Sequence, residues 1–225
     1  MAELHVARSE LILGGQKSGK TRRAESLAAA WLALSPQHEA VYIATAQAWD
    51  EEMRERIARH RRDRAERVPR MRTVEEPLAL AHAIGANSRP ETLVVVDCLT
   101  LWLTASLMPA AGQGAGARPH PNPPPEGEGA ETDRACEEGI SFSSPLRGEA
   151  GRGAPPSVSI ASAVHSCAGP LILISNEIGL GVIPLGREVR NFVDTLGTLN
   201  QQAAAACERV TLMSAGLPMV LKGAA

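Results

Sequence analysis

The stretch LILGGQKSGKTRRAE, from Leu11 to Glu25, limits the fold more than any other part of the chain. An apolar run ends in glycine, four residues intervene, and Gly19-Lys20-Thr21 opens a segment with helical apolar spacing (Ala24, Leu27, Ala28, Trp31, Leu32). The pattern G-x4-G-K-[ST] works only between a buried strand and the first turn of a helix, because its backbone N–H groups must converge on an anion. The glycines permit backbone conformations closed to other residues. The expected nucleotide cradle is therefore Gly14, Gly15, Gln16, Lys17, Ser18, Gly19, Lys20 and Thr21. Lys20 is the residue to reach the β- and γ-phosphates, and the Thr21 hydroxyl the one to help hold Mg2+.

Such a loop needs a sheet around it, and the rest of the chain supplies one. Ala40–Thr45, Leu93–Asp97 and Leu171–Ser175 read as buried strands. They alternate with helical segments at Lys20–Leu34, Asp50–Glu66, Pro77–Ala86 and from about Leu185 to Cys207, with Pro77 placed in the first turn of the third. Val68–Val74 is a weaker extended piece, and Val210–Met213 and Met219–Leu221 close the sheet. This alternation predicts an α/β fold: one domain over 1–225, with a mainly parallel sheet covered by helices on both faces. A Gly/Pro-rich run without hydrophobic period, at about 110–156, interrupts it and reads as a disordered insertion.

Composition excludes several classes. The net charge is −2, so no global basic field points to nucleic acid. No apolar run approaches the roughly 20 residues of a membrane span, and the charged N-terminus does not read as a secretory signal. The chain is expected to be cytoplasmic. The four cysteines are scattered, with no CxxC spacing, and read as buried or free thiols rather than a disulfide framework.

Asp97 ends the run LVVVD and is the natural second group for Mg2+. A nucleotide triphosphate with Mg2+ follows, which leaves two classes open: phosphoryl- or nucleotidyl-transferring enzymes, such as a simple small-molecule kinase, and nucleotide-driven switches or motors. The stretch DEEMRERIARHRR, Asp50–Arg62, is also open to two readings. It is a solvated helix laced with Glu/Arg pairs, or it presents His60 as a nucleophile among arginines that hold a triphosphate. Ser175-Asn176-Glu177 falls at the carboxyl end of a strand, where ligands bind in open parallel sheets. There Asn176 and Glu177 are substrate-side candidates, and Glu177 is suited to accept a hydroxyl proton. Asn200 either fastens the long helix to that side or is a structural amide.

Several segments together resemble one family. They are GGQKSGKTRRAE (Gly14–Glu25), VYIATAQAWDEEMRERIARHRRDR (Val41–Arg64), RTVEEP (Arg72–Pro77), VVVDCLTLWLT (Val94–Thr104) and the run from LISNEIGLG to MVLK (Leu173–Lys222). The chain is similar to the bifunctional adenosylcobinamide kinase / adenosylcobinamide-phosphate guanylyltransferases of cobalamin biosynthesis. The resemblance implies a P-loop NTPase (RecA-like) domain. It also implies ATP or GTP as phosphoryl donor, GTP as guanylyl donor, and a corrinoid, adenosylcobinamide, as acceptor. No nucleic acid or membrane partner is implied; a homotrimer is. The histidine of the RI-x2-H element, which is guanylylated, corresponds to His60. Nucleotide contacts correspond to the loop, to Thr45, Ala46 and Gln47, to Arg61, Arg62, Asp63 and Arg64, and to Glu75 and Asp97. The chain departs from the family pattern at Ala105 and at Leu185–Gly186, which bears on the grip of the corrinoid.

Overall fold

In the computed structural model, which describes residues 4–48, 50–107 and 160–224, the first apolar run is strand β1 (Ser9–Gly14), buried at every residue. It runs through the loop into helix α1 (Lys20–Leu34). The chain continues through β2 (Glu39–Ala44), α2 (Glu51–Arg67), β3 (Met71–Glu75), α3 (Leu80–Asn87), β4 (Thr92–Asp97) and α4 (Leu99–Leu107). After the stretch outside the described residues come α5 (Ile160–Ser166), β5 (Leu171–Ile174), α6 (Arg187–Ala206), β6 (Arg209–Ser214) and β7 (Leu217–Lys222). The expected insertion at about 110–156 lies almost wholly in that stretch.

The strands form one seven-stranded sheet in the order β3-β2-β4-β5-β1-β6-β7. All neighbours are parallel except β6 and β7, a hairpin closed at Ala215 and Gly216, both with positive φ. This is the α/β, P-loop type of nucleotide-binding fold that the sequence implied. Alternation along β4 explains its two layers. Leu93 and Val95 face a core with Ala24, Leu27, Ala28 and Leu32 of α1. Val94 and Val96 face a second core with Leu80 and Ile84 of α3, Ile160 and Val164 of α5, and Ala203 of α6. Fully burying a side chain such as Leu27 contributes about 1.5–3 kcal/mol.

The helix expected from Pro77 starts instead at Leu80. Glu76 Oε1 accepts the N–H groups of Leu78 and Ala79 at 3.0 and 2.7 Å, and that turn occupies the residues the helix would have used. Cys98, Cys167 and Cys207 are free and buried; Cys136 lies outside the described residues. Burial pushes the thiols of Cys98 and Cys207 up to about 12 and raises that of Cys167. Among the described residues, no helix is long and apolar enough to cross a membrane.

Candidate active site

The phosphate loop sits at the carboxyl ends of the central strands and is braced from two sides. Gly14 has φ 148°, and a Cβ there would lie 2.5 Å from Met213 O and 2.6 Å from Ser18 Oγ, so only glycine fits. The hairpin turn supports the loop through Gly216 N–H, which donates to Ser18 O at 3.0 Å. On the other side Glu177 N–H donates to Gly14 O at 3.3 Å. Gly15, Gln16 and Lys17 form its exposed tip, and Gly19 (φ 101°) turns the chain into α1.

Lys20 is buried and folds back on the loop, its Nζ donating to Gly14 O at 2.9 Å and Gly15 O at 2.6 Å. An ammonium has three donors, so one remains for a phosphate. Burial lowers the Lys20 pKa, partly offset by the Asp97 carboxylate. Thr21 Oγ1 donates to Asp97 Oδ2 at 2.8 Å, which joins the two expected metal-side residues. Strand β1, which leads through the loop to Thr21, and strand β4, which ends at Asp97, are separated in the sheet by β5.

Thr45 is fully buried and staples the two loops that follow β2 and β4. Its N–H donates to Asp97 O at 3.1 Å, while Oγ1 accepts from Cys98 N–H and donates to Cys98 O, both at 2.8 Å. Ala46 and Gln47 follow it, half-buried. Asn176 N–H donates to Thr100 Oγ1 at 2.9 Å. Asn200 Nδ2, from α6, reaches Asn176 O at 3.1 Å and Glu177 Oε2 at 3.4 Å. Asn200 thus fastens the long helix to the strand end that carries Glu177.

On α2 the expected residues part company. His60 is exposed and makes no hydrogen bond or ion pair among the described residues. Arg61 pairs with Glu75, which is on β3. Arg62 is exposed, and Asp63 lies 3.7 Å from Arg67. Arg64 turns inward: it is 4% exposed, its Cζ stands 3.7 Å over the ring centroid of Tyr42, and Nη2 donates to Thr73 Oγ1 at 3.1 Å.

Tyr42 is the residue the sequence reading passed over. Its hydroxyl donates to Asp97 Oδ2 at 2.6 Å, the oxygen that Thr21 also reaches. Burial, with the Asp97 carboxylate, raises the phenol well above its ordinary value, so it stays a donor. A signal was available: this is the chain's single tyrosine, in a buried strand, where its hydroxyl must find an acceptor.

A strand-loop-helix cradle, an invading lysine and a carboxylate bonded to the loop's threonine define a P-loop nucleotide-binding protein. Residues 10–221 match the family described as cobinamide kinase / cobinamide phosphate guanyltransferase, and the chain belongs to that family. The bifunctional adenosylcobalamin biosynthesis protein CobP of Pseudomonas aeruginosa is 42% identical over 215 residues, covering 95% of this chain and 97% of the relative. The bifunctional adenosylcobalamin biosynthesis protein CobU of Escherichia coli K12 is 31% identical over 212 residues, covering 94% and 98%. Its namesake from Salmonella typhimurium is 30% identical over the same share of this chain. The chain is a bifunctional enzyme of cobalamin biosynthesis, a kinase and a guanylyltransferase.

Proposed function

We propose that His60 carries the nucleotide in the second half-reaction. A ring nitrogen attacks the α-phosphorus of GTP, and the bond to the bridging oxygen breaks, releasing pyrophosphate. The ring gives up its proton and holds GMP as a phosphoramidate. A phosphate oxygen of adenosylcobinamide phosphate then attacks the same phosphorus, the P–N bond breaks, and adenosylcobinamide-GDP leaves. The observation that carries this reading is an exposed imidazole with no hydrogen bond or ion pair among the described residues, one turn before the arginine that docks α2. The Arg61 and Arg62 guanidinium groups beside it would steady the pyrophosphate. GTP labelled at the α-phosphorus should mark the protein without corrinoid, through a bond labile in acid and stable in base, and His60→Ala should abolish the mark. Label persisting in His60→Ala would move the nucleophile elsewhere; an unlabelled wild type would leave a simple kinase.

In the first half-reaction the hydroxyl of the corrinoid's aminopropanol arm attacks the γ-phosphorus of ATP or GTP. Glu177, held beside Gly14 by its own N–H and by Asn200, accepts the hydroxyl proton. Lys20 meets the β- and γ-phosphates. Thr45, Ala46, Gln47 and Glu75 are placed on the nucleotide side, and Arg64 acts from beneath α2. Asn176 contributes from the substrate side.

Thr21 and Asp97 fit a Mg2+ site, being hard oxygen donors already in contact, with Asp97 Oδ1 accepting no hydrogen bond among the described residues. Bound there, Mg2+ would neutralise charge on the phosphates. Family resemblance supports a cytoplasmic homotrimer, which sedimentation would test. The run at about 110–156 is proposed to be dispensable within a single domain: replacing residues 112–154 by a short linker should preserve expression and GTP affinity, and an insoluble product would count against it.

A further inference from the structure

We infer that Tyr42 is a positioning residue shared by the two half-reactions: its hydroxyl fixes the Asp97 carboxylate, and its ring seats Arg64, the arginine that docks the helix bearing His60. Strand pairing makes the first contact natural. Ala44 lies opposite Asp97 in the β2–β4 register, so Tyr42 is the diagonal neighbour of Asp97 on the same face. The phenol is 5% exposed and donates to Asp97 Oδ2 at 2.6 Å, while Thr21 Oγ1 reaches that same oxygen at 2.8 Å. Two donors on one oxygen lock the carboxylate and leave Oδ1 for a ligand.

The second contact is made by the ring. Arg64 is the one buried residue of α2, with its Cζ 3.7 Å from the Tyr42 centroid. His60 precedes it by one helical turn on the same face. No apolar stripe of α2 is buried, so the height and rotation of the helix depend on polar contacts. Arg64 also donates to Thr73 Oγ1 at 3.1 Å. Among the described residues Arg61–Glu75 and Arg67–Glu25 join α2 to its neighbours too, but the Arg61 and Arg67 side chains are 51% and 48% exposed and screened by water. Only Arg64 on Tyr42 is both buried and joined to Asp97. One side chain therefore aligns the metal-side carboxylate of phosphoryl transfer and the nucleophile of guanylyl transfer.

This inference rests on the readings of His60 and Asp97 given above. Those are tested apart from it, by loss of GMP label in His60→Ala and by loss of Mn2+ binding in Asp97→Asn. Three variants then separate the two arms of Tyr42, each read by Mn2+ titration of the GDP complex using electron paramagnetic resonance, and by the labelling rate of His60 at saturating GTP and metal. Tyr42→Phe keeps the ring and should weaken Mn2+ binding about tenfold. Its labelling rate at saturation should stay within about twofold of the wild type, the range of independent sites. Tyr42→Leu removes both functions; it should weaken Mn2+ equally and also slow labelling by about tenfold or more, with KM for GTP little changed. Arg64→Met should slow labelling and leave Mn2+ affinity within about twofold.

Wild-type Mn2+ affinity in Tyr42→Phe would overturn the first arm, and wild-type labelling in Tyr42→Leu the second. An Arg64→Met enzyme with raised KM for GTP and an unchanged saturated rate would make Arg64 a phosphate ligand and also overturn it. If the leucine variant fails to fold by circular dichroism, Tyr42→Phe and Arg64→Met still decide, since each must move its own readout alone.

Discussion

Helices α1 and α2 both dock on the face of the sheet where Tyr42 lies, and opposite forces hold them. Helix α1 buries Ala24, Leu27 and Ala28 completely and Leu32 nearly so. Its N-terminus has no side-chain cap and no acid in the first turn, so its N–H groups are left for a phosphate. Helix α2 closes its own ends: Asp50 accepts Met53 N–H at 2.7 Å, Glu51 and Glu52 sit in the first turn, and Arg64 and Arg67 in the last. It buries a single residue, and that residue is an arginine. The helix proposed to meet the nucleotide is fixed by packing, while the helix that carries His60, the proposed nucleophile, is fixed by charge and left open to solvent.

The contrast is most exposed to test at Lys20. Lys20→Ala removes the cation that α1 brings to the phosphates, and phosphoryl transfer should fall by about 10²–10³-fold or more. If one nucleotide site serves both steps, labelling of His60 should fall too; labelling that survives would mean a second site. A Lys20→Ala enzyme with near wild-type phosphorylation of adenosylcobinamide would remove α1 from the chemistry.

Stability should divide the helices next. Leu27 is fully buried, and Leu27→Ala should cost about 2–5 kcal/mol in urea unfolding. Ile57, half-buried on α2, should cost below about 1 kcal/mol when replaced by Ala. Equal losses would break the comparison.

A pH effect follows from the same packing. Cys98 belongs to the core cluster under α1, and Cys207 to the cluster on the other face. Folding holds both thiols neutral up to about 12, whereas an unfolded thiol ionises near about 8.5. Their folded values are raised, so the stability is fully present below the unfolded value and is lost as pH rises toward the folded one. The slope should reach about 1.4 kcal/mol per pH unit for each thiol. Burial shifts the Tyr42 phenol in the same direction. Urea midpoints at pH 7.5 and 9.5 should show the fall, and Cys98→Ala should shrink it.

The same contrast explains what could be read from sequence. Helix α1 was legible to the residue, Lys20–Leu34, because apolar period and the loop motif both specify it. Most strands were legible within a residue or two, since β-branched runs ending at loops leave few alternatives; β3, expected from Val68, begins only at Met71 because Val68 caps α2. The register of Pro77 was not, because a side-chain capture by Glu76 is tertiary detail that periodicity does not carry. Within the site, the motif placed Lys20, Thr21 and Asp97 together. Helical spacing puts Arg64 on one face with Met53, Ile57 and His60, but it did not separate Arg64 from the neighbouring arginines as the buried one. Charge patterns show which residues prefer water, but a single aromatic ring in the facing strand decided which arginine leaves it.

The smallest expected effect concerns the bridge between the two helices. Arg67 of α2 donates to Glu25 of α1 at 2.9 Å, with the Glu25 side chain 4% exposed and the Arg67 side chain 48% exposed. One end of the pair is in water, which screens the attraction and lowers its net worth. Arg67→Ala should therefore cost about 1 kcal/mol, mostly from leaving the Glu25 carboxylate buried without its partner. Glu25→Gln should remove much of that penalty, so that a double-mutant cycle in urea gives a coupling of about 0.5–1 kcal/mol. Higher salt should change it little, because the carboxylate end is out of reach of mobile ions. A coupling above about 3 kcal/mol is the value for a fully buried pair. It would make Arg67, rather than Arg64 on Tyr42, the true dock of α2, and the helix would then lean on α1 instead of on the ring beneath it.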